Sequence, residues 1–147
     1  MDDLYNTRIL DLAGNIPRTG RLSAPDAEAA AHSKLCGSKV RITLTMADGV
    51  VTDFAHEVKA CALGQASSSL MAQVVVGATA EEIRDARAAM IAMLKADGEG
   101  PDGRFVEMRV LKPVKDYKAR HASTLLTFDA VVDAIDQIEA RSLEKAG

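Results

Sequence analysis

Apolar and polar side chains alternate in two runs between residues 38 and 60. The apolar members of the first run are Val40, Ile42, Leu44 and Met46. The second run places five side chains on one face, namely Val50, Thr52, Phe54, His56 and Val58. Such alternation is typical of half-buried strands, and the Asp48-Gly49 pair between the runs favours a tight turn. The sequence therefore predicts an antiparallel hairpin with one buried face.

The chain's two cysteines flank this hairpin. Cys36 precedes the first strand and Cys61 follows the second. Because a hairpin brings the outer ends of its strands together, we expect the two thiols to lie near each other. Small residues follow Cys61, and a thiol just ahead of a helix N-terminus favours the thiolate, which attacks electrophiles and binds metals. The alternative is a small buried cysteine in a tight turn between strand and helix.

Helical spacing recurs in four other stretches. Residues 2–13 predict a short helix that ends at Gly14. A second helix is predicted over residues 66–76, started by three serines and followed by Gly77 as its C′ residue. Thr79 and Glu82 fit a capping box for a helix that continues to about residue 95. The last helix is predicted over residues 123–142, and its inward side chains are Leu125, Leu126, Val131, Val132, Ile135 and Ile138.

Other segments carry weaker signals. Residues 27–35 are rich in alanine, so propensity favours a helix, although the run is short. Residues 17–26 and 97–104 have the composition of loops. Residues 105–111 alternate like a short edge strand but also fit a helical turn, and Pro113 is expected to end them.

Composition limits the classes of function. The 147 residues fit one domain, residues 1–147. A net charge of −3 gives no general attraction to nucleic acid or to an anionic membrane. No apolar run is long enough to span a bilayer, and the acidic N-terminus lacks a signal peptide's basic region, so we expect a cytoplasmic protein. In a reducing compartment, two cysteines are more often ligands, nucleophiles or core residues than a disulfide.

The cysteines need further donors if they bind a metal. A tetrahedral site takes about four ligands, so a histidine, a carboxylate, a second chain or a substrate has to contribute. His56 lies on the apolar strand face, which favours a hydrogen-bonded core histidine. His32 fits a surface position, whereas His121 directly precedes the last helix, a position suited to a ligand.

The motifs together resemble a known family. Cys36-Gly37, the Asp-Gly hairpin and the stretch C-A-L-G-Q-A-S-S-S-L from Cys61 to Leu70 are similar to the iron–sulfur cluster scaffold family of IscU, SufU and the N-terminal domain of NifU. The most specific feature is the alanine five residues after Cys61, followed by Ser-Ser-Ser-Leu. Residues 5–20 resemble the family's N-terminal helix and Pro-Arg-x-x-G-like segment, and residues 79–117 resemble the insertion that distinguishes SufU from IscU.

The resemblance implies an α+β fold. It implies a small antiparallel β-sheet of about three strands with helices packed mainly on one face. It also implies that residues 27–35 form a strand, against their alanine propensity.

The resemblance also implies a function. The chain is expected to be an iron–sulfur cluster assembly scaffold or a sulfur acceptor, not an enzyme, that binds iron or zinc through Cys36 and Cys61, with His121 as a further candidate ligand. Its expected partners are a cysteine desulfurase and iron–sulfur acceptor proteins. Two alternatives stay open. One is a divergent member that binds zinc or docks assembly proteins without building clusters, and the other is a thiol enzyme with Cys61 as nucleophile and His121 as base.

The chain departs from the family pattern at three positions. Ser38 stands where the family has an aspartate ligand, and Ser123 stands where it has a third cysteine. Members of the IscU type carry a histidine immediately before that cysteine, but here Ala122 occupies that position and His121 lies one residue earlier. A site with three cysteines on one chain is therefore excluded. A site of Cys36, Cys61 and His121, open to an exogenous fourth ligand, is predicted instead.

Overall fold

A three-stranded antiparallel sheet organises the protein, whose computed structural model describes residues 6–35 and 37–146, with side chains to residue 143. Within that part of the chain the strands are Ala27–His32 (β1), Lys39–Ala47 (β2) and Val50–Lys59 (β3), in the order β1-β2-β3. The α-helices are Thr7–Gly14 (α1), Ala62–Val74 (α2), Ala80–Lys95 (α3) and His121–Ala146 (α4). Two 3₁₀ segments, Gly103–Asp116 and Lys118–Arg120, connect α3 to α4.

The helices cover one face of the sheet. Helix α4 lies across β1 and β2, and α2 packs against β3 and against α4. Val40, Ile42 and Leu44 of β2 face these helices and are completely buried. The predicted α+β fold, with a three-stranded antiparallel sheet and helices mainly on one face, is confirmed. No helix in the described residues is both long enough and apolar enough to cross a bilayer.

The predicted hairpin forms with one irregularity. Asp48 and Gly49 both have positive φ, 55° and 78°, as a tight hairpin turn requires. A bulge shifts the register so that Thr45 pairs with Asp53 and Met46 with Val51. Thr52 is the extra residue, so it is exposed and Val51 is buried instead. The prediction that Thr52 shares the buried face was therefore wrong.

Strand β1 contradicts its own local propensity. Its six residues, A-E-A-A-A-H, pair antiparallel with β2 from Ala27 opposite Leu44 to His32 opposite Lys39. Ala27 and Ala29 point under α4, and their small side chains let that helix approach the sheet. The prediction of a helix from the alanine content was therefore wrong. The strand that the resemblance implied is confirmed, although it ends at His32.

Several helix boundaries differ from the expected ones. Helix α2 begins four residues earlier than predicted, at Ala62, and Gly77 lies two residues beyond its C-cap, Val75. Helix α4 begins at His121. The capping box of α3 is confirmed: Thr79 Oγ1 accepts from the Glu82 amide at 3.1 Å, and the Glu82 carboxylate accepts from the Thr79 amide at 3.0 Å.

The segment before α4 is a 3₁₀ helix, neither an edge strand nor a single turn. Its buried side chains recur at every third residue, as this helix type requires, and they are Phe105, Met108, Leu111 and Val114. Pro113 lies inside the segment and does not end it. Two-residue alternation and three-residue repetition overlap over so short a run, which is why the sequence left both structures open.

A loop covers part of the outer edge of β3 and holds His56. The His56 amide donates to Arg18 O at 3.1 Å, and the Gly20 amide donates to His56 O at 2.8 Å. The side chain of His56 is completely buried, and its Nε2–H donates to Pro17 O at 2.8 Å. The predicted core histidine is therefore confirmed. Burial disfavours the charged ring and lowers the pKa of His56 below its ordinary 6.5.

This histidine makes stability dependent on pH. Because the pKa of His56 is lowered only in the folded state, the unfolded chain binds more protons as the pH falls. The contribution of neutral His56 to the free energy of unfolding is complete above pH 6.5. It is lost as the pH falls from there through the pKa that His56 has in the folded state. We expect His56→Gln to lower the free energy of unfolding by about 1–3 kcal/mol at neutral pH and to flatten the loss in acid. Urea unfolding over a pH series measures both; an equally steep acid loss in the variant would contradict this assignment.

Candidate functional site

Cys61 lies at the junction between β3 and α2. It is the N-cap residue of α2, in extended backbone conformation, and its carbonyl accepts the helical hydrogen bond from the Gln65 amide at 2.9 Å. The side chain is partly exposed. The predicted position, a thiol after a strand and directly before a helix, is confirmed. The first-turn amides of α2, which have no acceptor within the helix, therefore lie at the same end of the helix as the thiol, and none of them donates a cap hydrogen bond to the Cys61 side chain.

Two serine hydroxyls contact Cys61. Cys61 Sγ lies 2.9 Å from Ser123 Oγ in the first turn of α4, and the Cys61 amide donates to Ser38 Oγ at 3.4 Å. Both serines are nearly completely buried. Ser38 and Ser123 are the two positions at which the resemblance described above implies further ligands in the family. A neutral hydroxyl is a poorer ligand for a soft metal than a thiolate, so Cys61 is the strongest soft donor of the three.

Cys36 lies outside the described residues, so its expected proximity to Cys61 stays a prediction. The neighbouring residues that are described hold the start of β2 in place. Ser33 O accepts from the Gly37 amide at 2.9 Å, and the Ser33 amide donates to Ser38 O at 2.8 Å. Through Ser38 this loop reaches the backbone of Cys61.

A glycine allows α2 and α4 to meet beside the thiol. A Cβ atom added at Gly64 would lie 2.8 Å from Ala60 Cβ, which is too close, and 3.1 Å from Ser123 O, which is so tight that one of the two would have to move. The contact continues one turn later, where Ser67 Oγ donates to Thr124 O at 2.7 Å. The Gly and first Ser of the motif therefore position Ser123 against Cys61.

The serine triplet has a different role from the predicted one. We expected it to start the helix, but it lies in the middle of α2, where all three side chains are completely buried. Ser67 binds the start of α4, and Ser69 Oγ donates to Asn15 O at the end of α1 at 3.4 Å. Small hydroxyl side chains therefore let three helices approach each other closely. Sequence reasoning missed this packing role, although the run of small residues was its signal.

His121 is the first residue of α4 and does not precede the helix as predicted, and its ring is engaged elsewhere. Nε2 lies 3.0 Å from Val114 O and 3.0 Å from Lys115 O, so Nε2 carries the hydrogen and donates it. In the neutral ring Nδ1 is then unprotonated, which is the state that a metal ligand needs. However, side chains two residues apart on a helix do not face the same way, and Ser123 is the one that contacts Cys61.

The ring of His121 lines a separate cavity. This cavity of about 630 Å³ lies between the end of α3 and the start of α4, and its other lining residues include Lys95 and Lys118. Among the described residues, no three His, Cys, Asp or Glu side chains form a group that could hold a metal ion. His121 as a third ligand therefore stays a prediction. His32, expected at the surface, is exposed at the end of β1.

Comparisons with known proteins agree with this fold. Residues 4–124 match the model of the NifU-like N terminal domain family. The chain is 29% identical over 136 residues to the iron–sulfur cluster assembly scaffold protein IscU of Thermotoga maritima, covering 92% of this chain and 94% of that protein. A putative scaffold protein for the SUF system from Fervidobacterium islandicum has a TM-score of 0.80 at 21% identity, over 89% of this chain and 96% of that one, and supports the fold alone.

A more similar solved structure is the N-terminal part of a nitrogen-fixing NifU-like protein from Brucella abortus. It shares 68% identity and a TM-score of 0.93, and the match covers 95% of this chain and 96% of that one. The family model covers most of the present chain, including the hairpin, α2 and the first turn of α4. The chain therefore belongs to the NifU-like N-terminal domain family.

Proposed function

We propose that this chain is an iron–sulfur cluster assembly scaffold in which Cys61, together with Cys36, receives sulfur and iron. The observation that carries the proposal is the position of Cys61: a partly exposed thiol at the N-terminus of α2, fixed between the starts of β2 and α4. The similarity to the Thermotoga maritima iron–sulfur cluster assembly scaffold protein supports it. No catalytic turnover is part of this role.

Sulfur delivery requires a nucleophilic thiolate. We infer that a cysteine desulfurase brings sulfur as a persulfide, and that the Cys61 thiolate attacks the outer sulfur of that persulfide. A new S–S bond then forms on Cys61, and the partner's cysteine leaves as a thiolate, so atoms and electrons balance. The amides at the start of α2 stabilise the attacking anion. The exposed side of Cys61 is where the partner has access.

The ligand set explains why the cargo is released again. Cys36 and Cys61 are the soft donors, while hydroxyls occupy the positions of Ser38 and Ser123. A cluster held by fewer than four protein ligands needs a donor from a partner, and it is passed readily to an acceptor protein that offers more thiolates. His121 is the proposed third donor through Nδ1. Because its side chain does not face the same way as Ser123, which contacts Cys61, the ring has to turn away from the two carbonyls that now hold it.

The two hydroxyls also favour a second function. A chain with fewer thiolates holds zinc or docks assembly proteins without building a cluster. Anaerobic incubation with ferrous iron, cysteine and a desulfurase separates the two functions. We expect a visible absorbance that depends on both the desulfurase and Cys61. Retention of zinc without any visible absorbance would contradict assembly and support the second function.

His121→Ala tests the third donor. If Nδ1 binds the metal, the variant should bind zinc or ferrous iron about 10–100-fold more weakly while keeping some metal through the two thiolates. Competition with a chromogenic chelator measures this affinity, and His32→Ala is the control because His32 is exposed at the end of β1. An unchanged affinity together with a lower melting temperature would make His121 a packing residue that fastens the 3₁₀ segment to α4.

A further inference from the structure

Basic side chains form a row across the sheet beside Cys61. In the strand register His32 lies opposite Lys39, and Lys39 lies opposite Lys59. All three are exposed and point away from the face that the helices cover. We call these three residues the basic row. Lys59 is two residues before Cys61, so the basic row runs along the same end of the sheet as the thiol.

The basic row differs from the rest of this face in having unpaired charges. Nearby, Glu28 accepts from Arg21 and from Arg41, and Glu57 pairs with Arg21 at 3.0 Å. Among the described residues, neither Lys39 nor Lys59 forms an ion pair. Like charges directly opposite each other on neighbouring strands destabilise a sheet. The fold therefore keeps two repelling lysines where neighbouring positions carry pairs.

The surroundings of the basic row suit a docked chain. Lys39, Lys59, Arg41 and Glu57 line a shallow depression of about 150 Å³. At the same end of the sheet, Leu35 lies in the turn after β1 with 73% of its surface exposed, which is high for a leucine. The chain as a whole carries a net charge of −3, so this positive strip stands out against the rest of the protein.

We propose that the basic row is a docking surface for an acidic segment of the protein that delivers sulfur to Cys61. Carboxylates of that segment lie along Lys39 and Lys59, and an apolar side chain contacts Leu35. The lysines act by electrostatic complementarity, which speeds encounter and fixes the register in which the persulfide approaches the thiol. This inference rests on the proposed function, because it places its partner beside the sulfur acceptor.

Two charge variants test the docking surface by separating its effect on binding from its effect on stability. Lys39→Glu replaces repulsion by attraction to Lys59, so we expect the melting temperature to rise by about 1–4 °C. The double variant Lys39→Glu, Lys59→Glu restores a like-charge pair of the opposite sign, so its stability should stay near that of the native chain. Both variants should bind a purified cysteine desulfurase more weakly, and the double variant should associate about tenfold more slowly at low salt.

The control is the variant Lys95→Glu, Lys118→Glu, which makes the same change in net charge. Its lysines lie in the last turn of α3 and in the 3₁₀ turn before α4, and neither forms an ion pair among the described residues. Binding measured by biolayer interferometry at rising salt should lose its salt dependence only in the basic-row double variant. Equal losses in both double variants, or unchanged binding in the basic-row variant, would overturn the proposal.

A short duplex DNA serves as a second probe. We expect it to bind much more weakly than the desulfurase; lysine-dependent binding of both with equal strength would make the basic row a general polyanion surface and overturn the proposal. Metal content is measured in the same samples. If the native chain takes up no metal but still binds the desulfurase through the basic row, the scaffold function fails while the docking surface stands.

Discussion

The Cys61→Ser variant is expected to lose bound metal completely and to remain folded. Its thiol is the proposed soft donor at the start of α2, and a neutral serine hydroxyl is a much poorer ligand for a soft metal. Cys36→Ser should have the same effect if the two thiols share a metal. Elemental analysis after anaerobic loading and desalting gives the stoichiometry, and circular dichroism checks the fold.

Ser123→Ala is the matched control for the cysteine variants. It removes the hydroxyl 2.9 Å from Cys61 Sγ but leaves both thiols, so metal stoichiometry should be unchanged. Full metal occupancy in Cys36→Ser and in Cys61→Ser would remove the proposed site. Loss of metal in Ser123→Ala alone would instead make that hydroxyl the essential donor.

A methyl group at Gly64 is expected to have the second largest effect. Gly64→Ala places a Cβ 2.8 Å from Ala60 Cβ and 3.1 Å from Ser123 O, and the latter is backbone that cannot rotate away. Helix α4 must shift relative to α2, at a cost of about 1–3 kcal/mol in the free energy of unfolding. Because α4 begins with His121, the proposed third donor, its shift should displace that donor relative to Cys61, and metal affinity should fall with stability.

Gly14→Ala is the control for this variant. A Cβ at Gly14, the last residue of α1, meets nothing within 4 Å, so the substitution should leave stability unchanged or raise it by up to about 1 kcal/mol. Chemical denaturation of the two variants gives the comparison. If Gly64→Ala were as stable as Gly14→Ala and bound metal normally, close contact between α2 and α4 would not be what positions the site.

The elements that the sequence predicted well are those whose local signals agree with their burial. The hairpin has alternating side chains and an Asp-Gly turn. Together these two signals predict two antiparallel strands. Helix α3 carries its own capping box. Strand β1 lacks such agreement, because its alanines favour a helix and only pairing with β2 and cover by α4 make it a strand. Pairing and cover are tertiary contacts, which local sequence signals do not show. The strand was therefore predicted only from the resemblance to a family.

Two other differences also arise from contacts distant in sequence. The bulge at Thr52 depends on how β3 fits β2 near the turn, and alternation alone places Thr52 inside. The early start of α2 depends on Cys61 acting as N-cap, a role that its side chain does not support with a cap hydrogen bond. Serine is the more usual cap, so the sequence pointed to the triplet.

The site was predictable in part. Cys61 at a junction between strand and helix followed from the pattern on either side of it. The substitution of Ser38 and Ser123 for ligands followed from the resemblance, and the structure places both hydroxyls on Cys61. The direction of His121 was not predictable, because it depends on where α4 begins and on the carbonyls of the 3₁₀ segment.

X-ray absorption at the zinc edge of the metal-loaded chain tests the central claim most directly. If Cys36 and Cys61 hold the metal together, the spectrum should show two sulfur neighbours at about 2.3 Å, with lighter atoms completing the shell. A shell made only of nitrogen and oxygen, or a spectrum that stays the same in Cys61→Ser, would contradict the claim that the two thiolates hold the cargo.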